Sequence, residues 1–230
     1  MNSPTPLRRS TLICDLDGTL VDSAPDLAGA LIELLSQEGR KALSLTQVKA
    51  MIGNGVARLV ERGFTATGGC PSAPDLEGLV RRFMAIYNAR LVVATKPYPG
   101  AVETLSALKA EGWTLIICTN KPEAPSHEIL QALDLARFFD AVAGGDTYAY
   151  RKPDPRHLLT LLEQIGAPAD SAVMFGDGHA DVAAAKAAGI PCILAEFGYG
   201  GETARNEGPA RSIAGFEFLP AALHALAATN

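Results

Sequence analysis

No stretch of the 230 residues is both long and apolar enough to span a bilayer, so no membrane partner is expected. Basic runs are missing too: 20 Lys and Arg stand against 25 Asp and Glu, a net charge of −5. Nucleic-acid binding needs a concentrated positive footprint, so no nucleic-acid partner is expected. Any anionic ligand must be met by a few local cations or a metal. Cysteine is sparse, and Cys14, Cys70, Cys118 and Cys192 include no close pair with metal-ligand spacing. Three of them sit in strand-like runs, where a thiol acts as a small apolar filler. The polar stretch Met1 to Ser10 lacks the apolar core of a secretory signal. It reads as a disordered lead-in, and the expected compartment is the reducing cytoplasm.

What is present is an alternation of two patterns. Short apolar runs at Thr11 to Cys14, Thr114 to Cys118, Ala141 to Ala143, Ala172 to Phe175 and Cys192 to Ala195 lack polar alternation, as strands buried on both faces do. Amphipathic helices lie between them, with faces marked by Val102, Leu105 and Leu108 and by Leu158, Leu161, Leu162 and Ile165. This predicts an α/β protein, a Rossmann-like parallel sheet with helices on both faces. From Ala24 to Val93 the alternation stops and helical spacing takes over, predicting an all-helical cap of some four helices inserted after the first strand. The expected division is a core of residues 1–21 and 96–230 and a cap of residues 22–95. Capping boxes are predicted at Ser23-Ala24-Pro25-Asp26 and Ser44-Leu45-Thr46-Gln47. The tail holds a weak strand, Ser212 to Ala214, and a last helix with Leu219, Leu223 and Leu226.

Open α/β sheets carry their sites at the carboxyl ends of strands. The first run ends at Asp15 and Asp17, the second at Thr119-Asn120-Lys121, and the fourth at Asp177 through Asp181; Arg151 and Lys152 follow the third after a loop. These residue types suit phosphoryl transfer, which needs an in-line nucleophile, a cation and donors around the equatorial oxygens. Asp15 is the nucleophile candidate, since carboxylates form aspartyl-phosphates. Asp17 suits general acid–base work, given an environment that disfavours its charge. Asp15 and Asp177 can hold magnesium, a cation that prefers oxygen ligands. Thr119 offers a hydroxyl and Lys152 a positive charge to the phosphoryl group.

The run Asp15-Leu16-Asp17-Gly18-Thr19-Leu20-Val21-Asp22-Ser23, with Thr119, Lys152 and Gly176-Asp177-Gly178-His179-Ala180-Asp181, resembles the four motifs of the haloacid dehalogenase superfamily of phosphatases. Met51-Ile52-Gly53-Asn54-Gly55, Cys118-Thr119-Asn120-Lys121-Pro122, Gly144-Gly145-Asp146-Thr147 and Phe197-Gly198-Tyr199-Gly200 are similar to bacterial phosphoglycolate phosphatases. The resemblance implies a magnesium-dependent phosphatase with Asp15 as nucleophile and Asp17 as acid and base. It implies metal ligation by Asp15, Asp177 and the main-chain carbonyl of Asp17, with Asp181 in support. It also implies phosphoryl contacts from Thr119, Asn120 and Lys152. One departure is Gly178, where relatives carry a small hydroxyl residue.

Gly53 and Asn54 belong either to a plain helix-to-helix turn or to a cap loop that sees the substrate. Arg58, one turn on, either meets a substrate carboxylate or is an exposed helical arginine. Lys121 and Arg151 are either site cations or solvent-exposed charges. The expected partner is a small phosphorylated metabolite, with 2-phosphoglycolate first, acted on by a monomer or homodimer. A sugar phosphomutase and a broader sugar-phosphate phosphatase remain as alternatives. A non-catalytic binding protein is disfavoured, because Asp15, Asp17 and Lys152 are all present.

Overall fold

The computed structural model of the chain describes residues 10–228. The lead-in expected before Ser10 lies outside them. Strand β1 (Thr11–Cys14) is followed by a short strand β2 (Val21–Asp22) and four helices, α1 (Ala24–Gln37), α2 (Leu45–Lys49), α3 (Val56–Gly68) and α4 (Ala73–Asn88). The chain returns through β3 (Lys96–Pro97) and then alternates: α5 (Ala101–Ala110), β4 (Thr114–Cys118), α6 (Glu123–Ala132), β5 (Ala141–Ala143), α7 (Arg156–Gln164), β6 (Ala172–Gly176), α8 (His179–Ala187) and β7 (Cys192–Ala195). Helix α9 (Gly201–Asn206), strand β8 (Arg211–Ile213) and helix α10 (Leu219–Ala228) complete it. The weak last strand therefore sits one residue earlier than its apolar run suggests.

Six strands form one sheet in the order β5-β4-β1-β6-β7-β8, and every pair is parallel. Side chains alternate between its faces. Leu12, Leu115, Ile117, Val173, Phe175 and Ile193 pack on one side; Ile13, Ile116, Met174 and Leu194 pack on the other. Helices α5, α6 and α10 cover the first face and α7 and α8 the second. Burial on both faces explains why the strands read as unbroken apolar runs. Each large side chain removed from water contributes ~1.5–3 kcal/mol.

The register positions the site. Cys14 pairs with Ile117 on one side and Phe175 on the other, so Asp15, Cys118 and Gly176 leave the sheet level with one another. Thr119 and Asp177 follow one residue later on either side of Asp15.

The helical insertion enters and leaves through one antiparallel ribbon, in which Val21 pairs with Pro97 and Asp22 with Lys96. Its apolar faces join the first-face cluster without a break, through Leu27, Leu31, Leu59, Phe64, Phe83 and Tyr87. The capping box predicted at Ser44 forms: Ser44 Oγ accepts from the Gln47 amide, and Gln47 Oε1 accepts from the Ser44 amide at 2.9 Å. The box predicted at Ser23 does not. Ser23 Oγ donates to Asp17 Oδ1 at 2.5 Å, and its side chain caps nothing. Asp26 turns the other way and accepts from the Ala94 and Thr95 amides and from Thr95 Oγ1, the last two at 2.8 and 2.7 Å. Both groups are nearly inaccessible, and each satisfies a partner away from the helix end, where Pro25 has already removed one unpaired amide.

Candidate active site

Beyond β1 the chain makes a tight loop in which Leu16 O accepts from the Thr19, Leu20 and Val21 amides, and the Gly18 amide donates to Val21 O at 2.9 Å. Gly18 has φ +85°, and a Cβ there would stand 2.5 Å from Asp177 Oδ2. Only glycine lets the loop lie against that carboxylate. Gly198 serves the same purpose from the β7 side, since its Cβ would fall 2.2 Å from the Asp177 Cβ.

Asp15, Asp177 and Asp181 come together at this rim. All three are buried, with a carboxylate oxygen of each within 4.8 Å of the others. Asp177 accepts from Thr19 Oγ1 at 2.8 Å and from the Tyr199 amide at 2.7 Å. Asp181 accepts from the Gly178 amide at 2.9 Å, which ties down the backbone there. A side chain at Gly178 would meet only ordinary contact, 3.4 Å from Asp181 Oδ2, so glycine is permitted rather than required there. Lys152 Nζ lies 3.0 Å from Asp15 Oδ1, 2.6 Å from Asp181 Oδ1 and 2.5 Å from Cys118 O. Burial would lower the Lys152 pKa, but Asp15 and Asp181 outweigh it and raise it.

One ammonium does not neutralise three carboxylates. Burial, then Asp181, pushes Asp15 up to about 6 despite Lys152. Burial, then Asp15 and Asp181, pushes Asp177 up to about 8. An oxygen-only donor set short of positive charge fits a hard divalent cation.

Asp17 does not join the acidic trio with its carboxylate. Both of its oxygens lie 3.2 Å from Lys121 Nζ, and Ser23 holds Oδ1. Lys121 is 5% exposed, so it is no solvent-facing charge. Its Nζ reaches Tyr87 Oη of α4 at 2.6 Å and stacks over that ring. The trio takes Asp181, and the Asp17 carboxylate, two residues beyond Asp15, is held apart from it.

Asn120 Nδ2 donates to Gly53 O at 3.2 Å and to Lys152 O at 2.9 Å, clamping the α2–α3 turn to the rim. Thr119 is buried, and its Oγ1 accepts from the Lys121 amide. Behind Lys152, the His157 Nδ1 accepts from the Lys152 amide at 3.2 Å while Nε2–H donates to Gly144 O at 3.0 Å. Both bonds require the neutral ring, and burial, then Lys152, holds its pKa down to about 4.

Two crevices meet at Asp15. One, about 40 Å³, has Asp17, Thr119, Asn120 and Lys121 on the sheet side and Leu27, Ile52, Gly53, Val56 and Leu59 on the helical side. The other, about 190 Å³, is bordered by Asp177, Asp181, Tyr199, Gly53, Asn54 and Arg62. Arg58 reaches neither. It is exposed, and its guanidinium pairs with Glu61 at 2.6 Å, three residues along the same helix. Arg151 lies in an open groove with Arg58 and beside Gly55. His179 is half-exposed and pairs with Glu207 at 2.8 Å. Ser23, Tyr87, Arg62 and His157 were not anticipated as site residues. Ser23 carried a competing capping signal, and the others reach the rim only through packing.

No helix among the described residues is long and apolar enough to cross a membrane. The family model for haloacid dehalogenase-like hydrolases matches residues 10–189. A phosphoglycolate phosphatase of Caulobacter vibrioides is 42% identical, over 94% of this chain and 91% of its own length. One from Rhodospirillum rubrum is 44% identical, over 86% and 83% respectively. Among solved structures, a predicted phosphoglycolate phosphatase from Haemophilus somnus superposes with a TM-score of 0.89 at 28% identity, covering 95% of this chain and 99% of that one. Motifs at the strand ends, the parallel sheet and these likenesses agree, and the chain belongs to the haloacid dehalogenase-like hydrolases.

Proposed function

We propose that this hydrolase is a magnesium-dependent phosphatase that converts 2-phosphoglycolate to glycolate and phosphate through a phosphoryl group carried on Asp15. The observation that carries the reading is the separation of two carboxylates only two residues apart. Asp15 lies in the acidic trio beside Lys152, whereas Asp17 is held outside it by Lys121 and Ser23. Different surroundings give like groups different roles. The named relatives supply the substrate.

In this reading an Asp15 oxygen attacks phosphorus as the bond to the glycolate oxygen breaks, and Asp17 gives that oxygen a proton. Water then attacks the phosphoryl group on Asp15 and passes its proton to Asp17, and phosphate leaves. Thr119 Oγ1 lies where a donor to the phosphoryl oxygens is needed, Asn120 holds the Gly53 and Lys152 carbonyls beside it, and Lys152 balances charge on Asp15. The carboxylates of Asp15 and Asp177 and the main-chain carbonyl of Asp17 would hold the magnesium, with Asp181 behind them. When bound, it neutralises phosphoryl oxygens.

Residues 22–95 act as the cap, hinged at the ribbon of Asp22 and Lys96, and admit substrate by opening. Room for little more than a few waters beside Asp17 supports this part of the proposal. Purified protein with magnesium should release phosphate from 2-phosphoglycolate, and Asp15→Asn should reduce turnover by about 10⁴-fold or more. Undiminished turnover by Asp15→Asn refutes the reading.

A further inference from the structure

We infer that Arg62 of α3 recognises the carboxylate of the substrate and sets the preference of the enzyme for an acidic phosphate ester. The inference rests on the phosphatase reading above and concerns its specificity. It replaces Arg58, whose charge is spent on Glu61 at the surface.

The cations bordering the two crevices at Asp15 differ in what answers them. Lys121 is answered by Asp17. Arg62 has no carboxylate partner among the described residues. Its two bonds go to neutral oxygens: Nη1 donates to Met51 O at 2.9 Å and Nη2 to Asn54 Oδ1 at 2.8 Å. It is partly buried and borders the larger crevice together with Asp15 and Asp177.

This half-buried guanidinium stands without a counter-charge, while the carboxylates of the trio outnumber the one ammonium among them. The surrounding charges are acidic, so an anion entering beyond the phosphoryl position meets repulsion unless a cation receives it. In 2-phosphoglycolate the carboxylate stands one carbon from the ester oxygen, so it must occupy the space next to the reacting phosphorus. Arg62 borders that space. A carboxylate takes two parallel N–H donors from a guanidinium, and the bonds to Met51 and Asn54 leave further donors free while fixing the plane of the head group. Fixing it in advance reduces the entropy lost on binding. The same bonds hold the turn that Asn120 clamps to the rim, so carboxylate recognition and the seating of the helical insertion run through one side chain.

The experiment compares 2-phosphoglycolate with ethyl phosphate, which has the same ester linkage and no carboxylate, in the wild type, Arg62→Gln and Arg62→Lys. The wild type should prefer 2-phosphoglycolate. Arg62→Gln should lose roughly 10- to 100-fold in kcat/KM for 2-phosphoglycolate, chiefly through KM, the loss expected for a hydrogen-bonded charge. Its kcat/KM for ethyl phosphate should fall less, by the share lost with the seating of the turn, so that the preference for 2-phosphoglycolate drops about tenfold. Arg62→Lys keeps the charge and loses the fork, and should fall between the two on 2-phosphoglycolate alone. If Arg62→Gln fails to fold, the ratio measured for Arg62→Lys decides. Equal losses on both substrates, or a preserved preference in the variants, overturn the inference and leave the phosphatase reading standing. A wild type that hydrolyses ethyl phosphate equally well also overturns it. A wild type inactive on both substrates overturns the reading and the inference together.

Discussion

The rim of the sheet and the helical insertion face each other across Asp15, and they are specified in different ways. At the rim each polar residue follows directly after a buried strand, so the register that aligns Cys14 with Ile117 and Phe175 also delivers Asp15, Thr119 and Asp177 to one place. In the insertion, which residues reach the site depends on how four helices lean on the sheet. Arg58 and Arg62 show the difference. They are four residues apart on α3 and so share a face, and periodicity alone cannot rank them. Glu61, within reach of Arg58, and the Met51–Asn54 turn, within reach of Arg62, decide it.

At the rim, charge compensation carries the most stability. Lys152→Met leaves Asp15 and Asp181 buried without their ammonium, and removing one partner of a buried pair costs about 3–5 kcal/mol. Denaturant unfolding should show a loss of that order together with the loss of phosphatase activity. A variant as stable as the wild type would mean that the trio is not compensated by Lys152.

The insertion has its own buried carboxylate. Asp26→Ala removes the acceptor for two amides and a hydroxyl at Ala94 and Thr95. A cost of roughly 2–4 kcal/mol is expected from donors left unsatisfied, with amide exchange rising first at residues 94–95. If Asp26 were instead the far half of a helix capping box, exchange would rise at the start of α1.

The strands of the six-stranded sheet, their order of appearance, the helical interruption and the carboxylates at the strand ends were legible in the sequence, because burial on both faces and position after a strand are local properties; the ribbon of β2 and β3, two residues each, was not. The partners of Asp26, Lys121 and Tyr87 were not, because each lies far along the chain, and that of Ser23 was hidden by a competing local signal. Ser23 is the instructive case. It precedes a helix and has an acidic residue three positions on, so local chemistry favours a cap, yet the Asp17 carboxylate lies 2.5 Å away and takes its hydroxyl. Ser23 and Ser44 therefore form a natural pair of tests. Ser44→Ala should cost about 1 kcal/mol of stability and leave kcat unchanged. Ser23→Ala should lower kcat roughly tenfold by freeing Asp17, and a helix-capping loss with unchanged kcat would contradict the assignment.

Tyr87 carries the insertion onto Lys121 at the rim. Tyr87→Phe keeps the ring and should cost about 1 kcal/mol in melting experiments, with a fall in kcat several times smaller than that of Ser23→Ala.

The smallest expected effect concerns the acidic trio without its cation. Asp15 and Asp177, pushed up by burial and by neighbouring carboxylates to about 6 and about 8, hold protons that the unfolded chain has already released. Between about pH 4 and pH 8 the folded state binds more protons than the unfolded one, so this contribution to stability falls as pH rises. A cation that displaces those protons should raise the melting temperature more at about pH 8 than at about pH 5. Equal gains at both would show that the trio is not its site.

The central claim is that a phosphoryl group passes through Asp15. The most direct measurement is to mix the magnesium-loaded enzyme with 2-phosphoglycolate carrying a labelled phosphoryl group, quench in acid within the first turnover, and map the label by peptide mass spectrometry. The account predicts label on the peptide that contains Asp15, absent in Asp15→Asn. Phosphate released at the wild-type rate with no label on that peptide would contradict it.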